Sequence, residues 1–335
     1  MTQTSRVSLT IDLDRSGTQA GDAMLRWSDN STPLGYHPIP VVSIKGTDGP
    51  VLLLVGGTHG DEFEGPSAIM RVLNAINPAG LRGQIIAFPA LNMPALVASS
   101  RVSPLDGANL NRAFPGDRDG GPTAMIAHFL ETEILPRCDA AIDLHSGGKA
   151  SVFQPCALPT QTTDPALAAR NMELAQLFGL PLVWRLGANN DNRSVNSAAE
   201  RVRVPMIAAE LGGGGGVDPA ITDMAETGMW NILRHLGMVE GEVHHPPIPR
   251  VVEIRDPGAS LYATAQGLFD RALAAGQDVR AGDFAGWFHH VTEPERPSIR
   301  LTIPQDGLIL AHTNRGLVSR GDLLLLVVQD VDQAL

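Results

Sequence analysis

Of the 335 residues only two are cysteine, Cys138 and Cys156, and they do not form a C-x-x-C pair. A disulfide framework and a cysteine-built zinc site are both excluded, and a cytoplasmic setting is expected. Lysine is equally scarce. Lys45 and Lys149 stand alone among 25 basic residues, the rest being arginine. No lysine follows Lys149, so the tail cannot carry lipoyl or biotin, which need a lysine at a hairpin tip. Long apolar runs are missing: VLLLV (51–55) and LLLLVV (323–328) fall far short of the roughly 20 residues that cross a bilayer. The opening MTQTSRVSLTIDLD lacks the apolar stretch of a secretion signal. Positive charge is in deficit too. A net charge of −11 removes the basic stripe expected of a nucleic-acid binder. Arginine over lysine suits bidentate carboxylate recognition, though a genome rich in G and C would produce the same bias and is the weightier reading.

Core-forming material is plentiful, at 43% hydrophobic and 18% charged residues, as in an ordinary globular chain. Alternation of Val7, Leu9, Ile11 and Leu13 predicts a strand over 6–13, and a second is expected near 40–45. VLLLVGG (51–57) is a solid apolar run ending in glycine, the pattern of a strand buried on both faces. Further strands are expected at 84–92, 140–147, 151–158, 181–185 and 205–211. Helices are expected at 66–76, 122–135, 165–179, near 196–202 and at 218–236. The stretch 93–121 is rich in Pro, Gly, Asn and Asp and predicts a long functional loop. This alternation describes an α/β unit with a mostly parallel or mixed sheet. Proline-rich HHPPIPR (244–250) marks a boundary, and Gly-Asp and Asp-Gly steps beyond it predict an all-β appendage. The division expected is an N-terminal β extension over 1–45, an α/β domain over 46–245 and a β domain over 246–335.

Four segments can do chemistry. GGTHGDEFEG (56–65) puts His59 and Glu62 directly after a buried strand, where α/β sheets bind ligands. DLHSGG (143–148) repeats that context, and Asp143 and His145, two apart on a strand, face the same side. Two histidines and a glutamate with room for water form the donor set of a catalytic zinc site. A satisfied core histidine is the plain alternative for His145. NLNRAFPGD (109–117) offers Asn111 and Arg112, an amide and a guanidinium fork suited to a carboxylate, with Arg101 ten residues earlier. Glu210, at the end of PMIAAEL, is a carboxylate that burial would penalise. Near an activated water it can serve as general base; a salt-bridged strand end is the alternative. The glycines at 212–216 lack the G-K-[ST] ending of a phosphate loop.

Together HGDE, NLNR, DLHSGG and the late Glu210 resemble the succinylglutamate desuccinylase/aspartoacylase family over residues 46–335. The resemblance implies a zinc carboxypeptidase-like mixed sheet flanked by helices, with a smaller C-terminal all-β domain. It implies one Zn²⁺ per chain on His59, Glu62 and His145, with Glu210 as general base. Arg101 would polarise the scissile carbonyl, and Asn111 and Arg112 would hold the substrate carboxylate. Two departures stand out. The usual D-L-N-R is N-L-N-R here, so Asn109 replaces the Asp expected to orient the first histidine. An extra arginine some members carry before the glutamate has three candidates, Arg193, Arg201 and Arg203. The expected activity is hydrolysis of a small N-acyl amino acid. The wording is most similar to the branch that deacetylates Nα-acetyl-L-2,4-diaminobutyrate in ectoine breakdown, and the substrate ammonium would then need Asp61, Glu64 or Asp117. A deacylase of dicarboxylates and a carboxypeptidase are the alternatives, and a non-enzymatic carrier is disfavoured. No nucleic-acid or membrane partner is expected, and a homodimer is left open.

Overall fold

A computed structural model describes residues 4–187, 190–244 and 247–331. Its centre is the strand Thr47–Gly56. Leu52, Leu53, Leu54 and Val55 are fully buried, each worth on the order of 2 kcal/mol in apolar burial. They divide by strand alternation. Leu52 and Leu54 enter a core beneath the helices Glu64–Ala75, Pro165–Phe178 and Pro219–His235. Leu53 and Val55 enter a second core on the other face, with Phe129 and Leu130 around the helix Pro122–Phe129 and Ala198 of the helix Val195–Arg201. The sheet therefore lies between two apolar layers, which explains the unbroken apolar run from Leu52 to Val55.

Strand order across the large sheet is Ser8–Leu9, Gly17–Leu25, His37–Lys45, Arg82–Phe88, Thr47–Gly56, Ala140–His145, Met206–Glu210, Cys156–Pro159, Leu182–Arg185 and Arg250–Glu253. It continues into Leu323–Asp330, Gly307–Thr313 and Asp278–Val279. Thr47–Gly56, Ala140–His145 and Met206–Glu210 are adjacent and parallel, with Gly56 beside Leu144 and His145 beside Glu210. Their carboxyl ends lie side by side. The N-terminal strands pair antiparallel to their neighbours, and Cys156–Pro159 is antiparallel to Met206–Glu210 but parallel to Leu182–Arg185, so the sheet is mixed. A separate antiparallel sheet of four strands includes Gly267–Arg271 and Phe284–His289. Among the described residues no helix is long and apolar enough to cross a membrane.

Several expectations need correction. The strand over 6–13 is only Ser8–Leu9. Val7 and Leu13 are buried as the alternation requires, but the segment packs as an edge ribbon against Gly17–Leu25, which the sequence did not announce. The loop 93–121 contains the helix Met93–Ala98, opened by Asn92 and Pro94, and a 3₁₀ turn at Leu110–Arg112. The single strand over 151–158 is two, Ser151–Phe153 and Cys156–Pro159. The first pairs with Gly307–Thr313, while Arg250–Glu253 runs parallel to Leu182–Arg185. The C-terminal strands thus extend the large sheet. The expected boundary at 245/246 lies outside the described residues.

Candidate active site

Three of the four chemical segments lie at the ends of the three parallel strands, and NLNRAFPGD lies in the loop after the helix Met93–Ala98. After Gly56 the chain turns through Gly57, whose φ of +63° a residue with a side chain rarely adopts. Gly60 then passes the next element so closely that a Cβ would strike the Ala95 carbonyl. These two glycines bring His59 and Glu62 back over the strand ends. Along Ala140–His145, Ala140, Ile142 and Leu144 face one core, leaving Asp143 and His145 on the opposite side. On Met206–Glu210, Ile207 and Ala209 face that same core, so Glu210 emerges on the side of His145.

His59, Glu62 and His145 converge, with one potential ligand atom from each lying within 4.8 Å of the others. His59 Nδ1 is 2.7 Å from Glu62 Oε1, and His145 Nδ1 is 2.9 Å from Glu62 Oε2. The far ring nitrogens fix the tautomers. His59 Nε2 donates to Asn109 Oδ1 at 3.1 Å, and His145 Nε2 donates to Asp143 Oδ2 at 2.8 Å. Both Nδ1 atoms then aim lone pairs at carboxylate oxygens, an arrangement that calls for a proton or a cation between them. Arg101 Nη1 supplies charge on one side, 3.2 Å from Glu62 Oε1 and 3.3 Å from His59 Nδ1. Two imidazoles and a carboxylate, each imidazole backed by an acceptor, suit a divalent ion such as Zn²⁺.

Electrostatics separate the two carboxylates. Burial pushes Glu62 up, but the charges of His59 and His145 and their hydrogen bonds overcome it and hold the group far below the usual range. Burial pulls His145 down, yet Asp143 and Glu62 raise it well above an ordinary histidine. Glu210 is pushed up to about 8, first by burial and then by the charge of Glu62, and its Oε2 is buried without a hydrogen-bond partner. The two carboxylates are thus pushed in opposite directions, the usual mark of divided roles.

His59, Arg101, Asn111, Arg112, His145 and Glu210 line one cavity of about 260 Å³, above Glu62. The anticipated metal-ligating, catalytic and carboxylate-binding residues are thus gathered in one place. A roomier groove of about 510 Å³ near Thr160 and Arg185 has no such cluster of titratable groups, so the chemistry favours the smaller cavity. Asn111 and Arg112 are anchored from the segment before the helix Val195–Arg201. Asn111 Oδ1 accepts from Val195 N at 3.0 Å, and Arg112 Nε is 3.1 Å from Asp191 Oδ2. Of the three uncertain arginines, Arg201 pairs with Glu131 and Arg203 with Asp164; Arg193 pairs with Asp191 on the cavity wall. Asp61, Glu64 and Asp117 are absent from the lining. Asp61 accepts from Lys149 N at 3.0 Å, Glu64 is buried and Asp117 accepts from Asp119 N.

Sequence reasoning missed three contributors. Thr58 Oγ1 donates to Asp143 Oδ1 at 3.0 Å, tying the two histidine segments together. Leu158, Trp184, Leu186 and Ile254 form an apolar wall that only their strand-end positions could have suggested. Asp191 sits in a polar stretch with no motif. Asn109, by contrast, was visible. As a neutral acceptor it leaves His59 less basic than a carboxylate would, and such outer partners change metal affinity by roughly 10–100-fold. Asn109→Asp is therefore expected to tighten metal binding by about tenfold in a chelator-competition titration. An unchanged or weaker affinity would remove Asn109 from the orientation of His59.

The chain matches the model of the succinylglutamate desuccinylase/aspartoacylase catalytic domain over residues 48–236. It belongs to the succinylglutamate desuccinylase/aspartoacylase family. The family comprises deacylating hydrolases that act on N-acyl amino acids, and this chain is such an enzyme. It is 33% identical over 330 residues to N-alpha-acetyl-L-2,4-diaminobutyric acid deacetylase of Halomonas elongata, covering 98% of this chain and 96% of the relative. A crystal structure of a family member from Rhodobacter sphaeroides is 35% identical with a TM-score of 0.91, covering 98% of this chain and 100% of that one. The product-bound ectoine utilization protein EutE (DoeB) of Ruegeria pomeroyi is 32% identical with a TM-score of 0.92 and the same coverage.

Proposed function

We propose that this family member is a zinc-dependent deacetylase of Nα-acetyl-L-2,4-diaminobutyrate, releasing acetate and L-2,4-diaminobutyrate in ectoine degradation. The observation that carries the substrate choice is the cation inventory of the cleft. Among the described residues lining it, the cations are Arg101, at the His59–Glu62 pair, and Arg112. The neutral wall of Asn190, Ser194 and Asn196 offers amide and hydroxyl oxygens to an ammonium. A second substrate carboxylate would meet no third guanidinium there, because Arg201 and Arg203 are paired elsewhere and Arg193 is bidentate on Asp191. An unpaired carboxylate in such a cleft is costly, which disfavours aspartate and glutamate derivatives. Similarity to the Halomonas elongata deacetylase and to EutE along nearly the whole chain supports the same reading.

His59, Glu62 and His145 would hold the ion, which supplies Lewis acidity and lowers the pKa of water. Glu210 accepts the proton of the attacking water and passes it to the leaving amine. Arg101 faces the carbonyl oxygen as negative charge develops on it. Arg112, with the amide of Asn111, takes the α-carboxylate, and the wall of Leu158, Trp184, Leu186 and Ile254 excludes water around the acetyl methyl. All the polar catalytic groups belong to 46–245, and 246–335 closes the cleft through Ile254. We retain that division of the chain as part of the proposal.

The test is kcat/KM for Nα-acetyl-L-2,4-diaminobutyrate against N-acetylaspartate and N-succinylglutamate, with the zinc-loaded protein. The diaminobutyrate derivative is expected to lead. A lead of more than about tenfold for either competitor, some 1.4 kcal/mol of transition-state preference, would overturn the substrate while leaving the deacylase chemistry intact.

A further inference from the structure

Asp191 lines the cleft, and by charge alone its carboxylate would suit a substrate ammonium. Its hydrogen bonds argue otherwise. Oδ1 accepts from Arg193 N at 2.9 Å and from Arg193 Nε at 3.1 Å. Oδ2 accepts from Arg193 Nη2 at 2.9 Å and lies 3.1 Å from Arg112 Nε. A carboxylate has about four acceptor sites, and all four are taken. An ammonium arriving there would have to displace a guanidinium.

The Arg112 side shows what this saturation achieves. A guanidinium has five donors in a rigid fork. Nε is committed to Asp191 and one Nη1 hydrogen to the Asn111 carbonyl at 2.6 Å, so two edges of the fork are fixed and three donors remain. Arg193 in turn pins Asp191. The stretch around them is locked to the NLNR loop by Val195 N donating to Asn111 Oδ1 at 3.0 Å and Phe114 N donating to Arg193 O at 3.2 Å. Ser194 Oγ and Ser197 Oγ both donate to the Asp191 carbonyl, at 3.1 and 2.7 Å, securing the aspartate at the start of its helix.

We propose that Asp191, braced by Arg193, is a positioning residue that presents Arg112 to the α-carboxylate of the substrate, and that it does not bind the substrate itself. This rests on Arg112 being the carboxylate clamp. Arg112 is half-exposed on a long side chain, so without Asp191 the fork would sample many rotamers, and the substrate would have to order it on binding. Misplacing a clamp by about 1 Å can lose up to about 100-fold.

The experiment is a double-mutant cycle of Asp191→Asn and Arg112→Ala in the metal-loaded full chain. It is read with Nα-acetyl-L-2,4-diaminobutyrate and its methyl ester, which has no α-carboxylate. Asp191→Asn is expected to raise KM for the free acid about tenfold, with kcat within about threefold and the ester unaffected. In the Arg112→Ala background the same change should add nothing, because the two act through one contact. Additive losses in the double variant, or equal losses for acid and ester, would overturn the positioning role. If Arg112→Ala leaves the acid-over-ester preference intact, the clamp itself lies elsewhere and the proposal falls with it. If Asp191→Asn does not fold, Asp191→Glu gives the same readout, since the extra methylene shifts the carboxylate out of its present register with Arg112 and Arg193.

Discussion

Glu210→Gln is expected to lower kcat by about 10²–10⁴-fold, the range lost when a general base is removed, while the protein folds and keeps its metal. Glutamine matches the shape of glutamate, so the pocket wall between Ala208 and the strand end is preserved. Glu210 is outside the His59–Glu62–His145 ligand set, so elemental analysis should give the wild-type metal content. The substitution also removes a buried carboxyl that burial and the charge of Glu62 push up to about 8. Loss of that repulsion should leave the melting temperature equal to or above the parent's. A near-normal kcat would exclude Glu210 from proton transfer, whatever its position.

His145→Ala should act on binding instead. It deletes one of three ligand donors and also strips the fully buried Asp143 of its imidazole, leaving Thr58 as its remaining hydrogen-bond donor among those described. Outer partners alone are worth about 10–100-fold in metal affinity, so loss of a direct ligand should exceed 100-fold. Leaving the buried Asp143 charge without its imidazole partner should lower stability by about 3 kcal/mol as well. His59→Ala provides the parallel measurement, because Asn109, its outer partner, carries no charge to strand. Wild-type metal content in either variant would refute the ligand set.

The site was legible where chemistry and backbone constraint coincide. His59 and Glu62 follow an apolar strand and His145 and Glu210 end one, each with glycine within the next three residues, so the pattern pointed to both residue type and location. The middle of the sheet was legible for the same reason, since Leu52 to Val55 bury on both faces. Edge elements were not. Gly17–Leu25 carries Gly, Gln and Asp and owes its extended form to pairing with His37–Lys45, a contact no local pattern encodes. Met93–Ala98 is too short to show helical periodicity. Asp191 was invisible because its role lies in arginines supplied by two separated segments, and an aspartate in a polar loop looks like any solvated one.

The pairing of Ser151–Phe153 with Gly307–Thr313 has a consequence for how the enzyme is made. The loop that follows His145 is held on one side by Gly212, whose carbonyl accepts from Gly147 N and Phe153 N, and on the other by Asn314, whose backbone N donates to the Ala150 carbonyl. That second hold arrives only when Thr313 and Asn314 leave the ribosome, more than 150 residues after the loop itself. Domains ordinarily fold as they emerge, but here contacts more than 150 residues apart in sequence lie close after the candidate metal ligand His145. A nascent chain halted before this point would bear a complete set of catalytic side chains on an unsupported loop, beside an unpaired sheet edge prone to aggregation. Activity should therefore appear during synthesis as a late, single step, and translation-arrested fragments should be substrates for chaperones rather than partial enzymes.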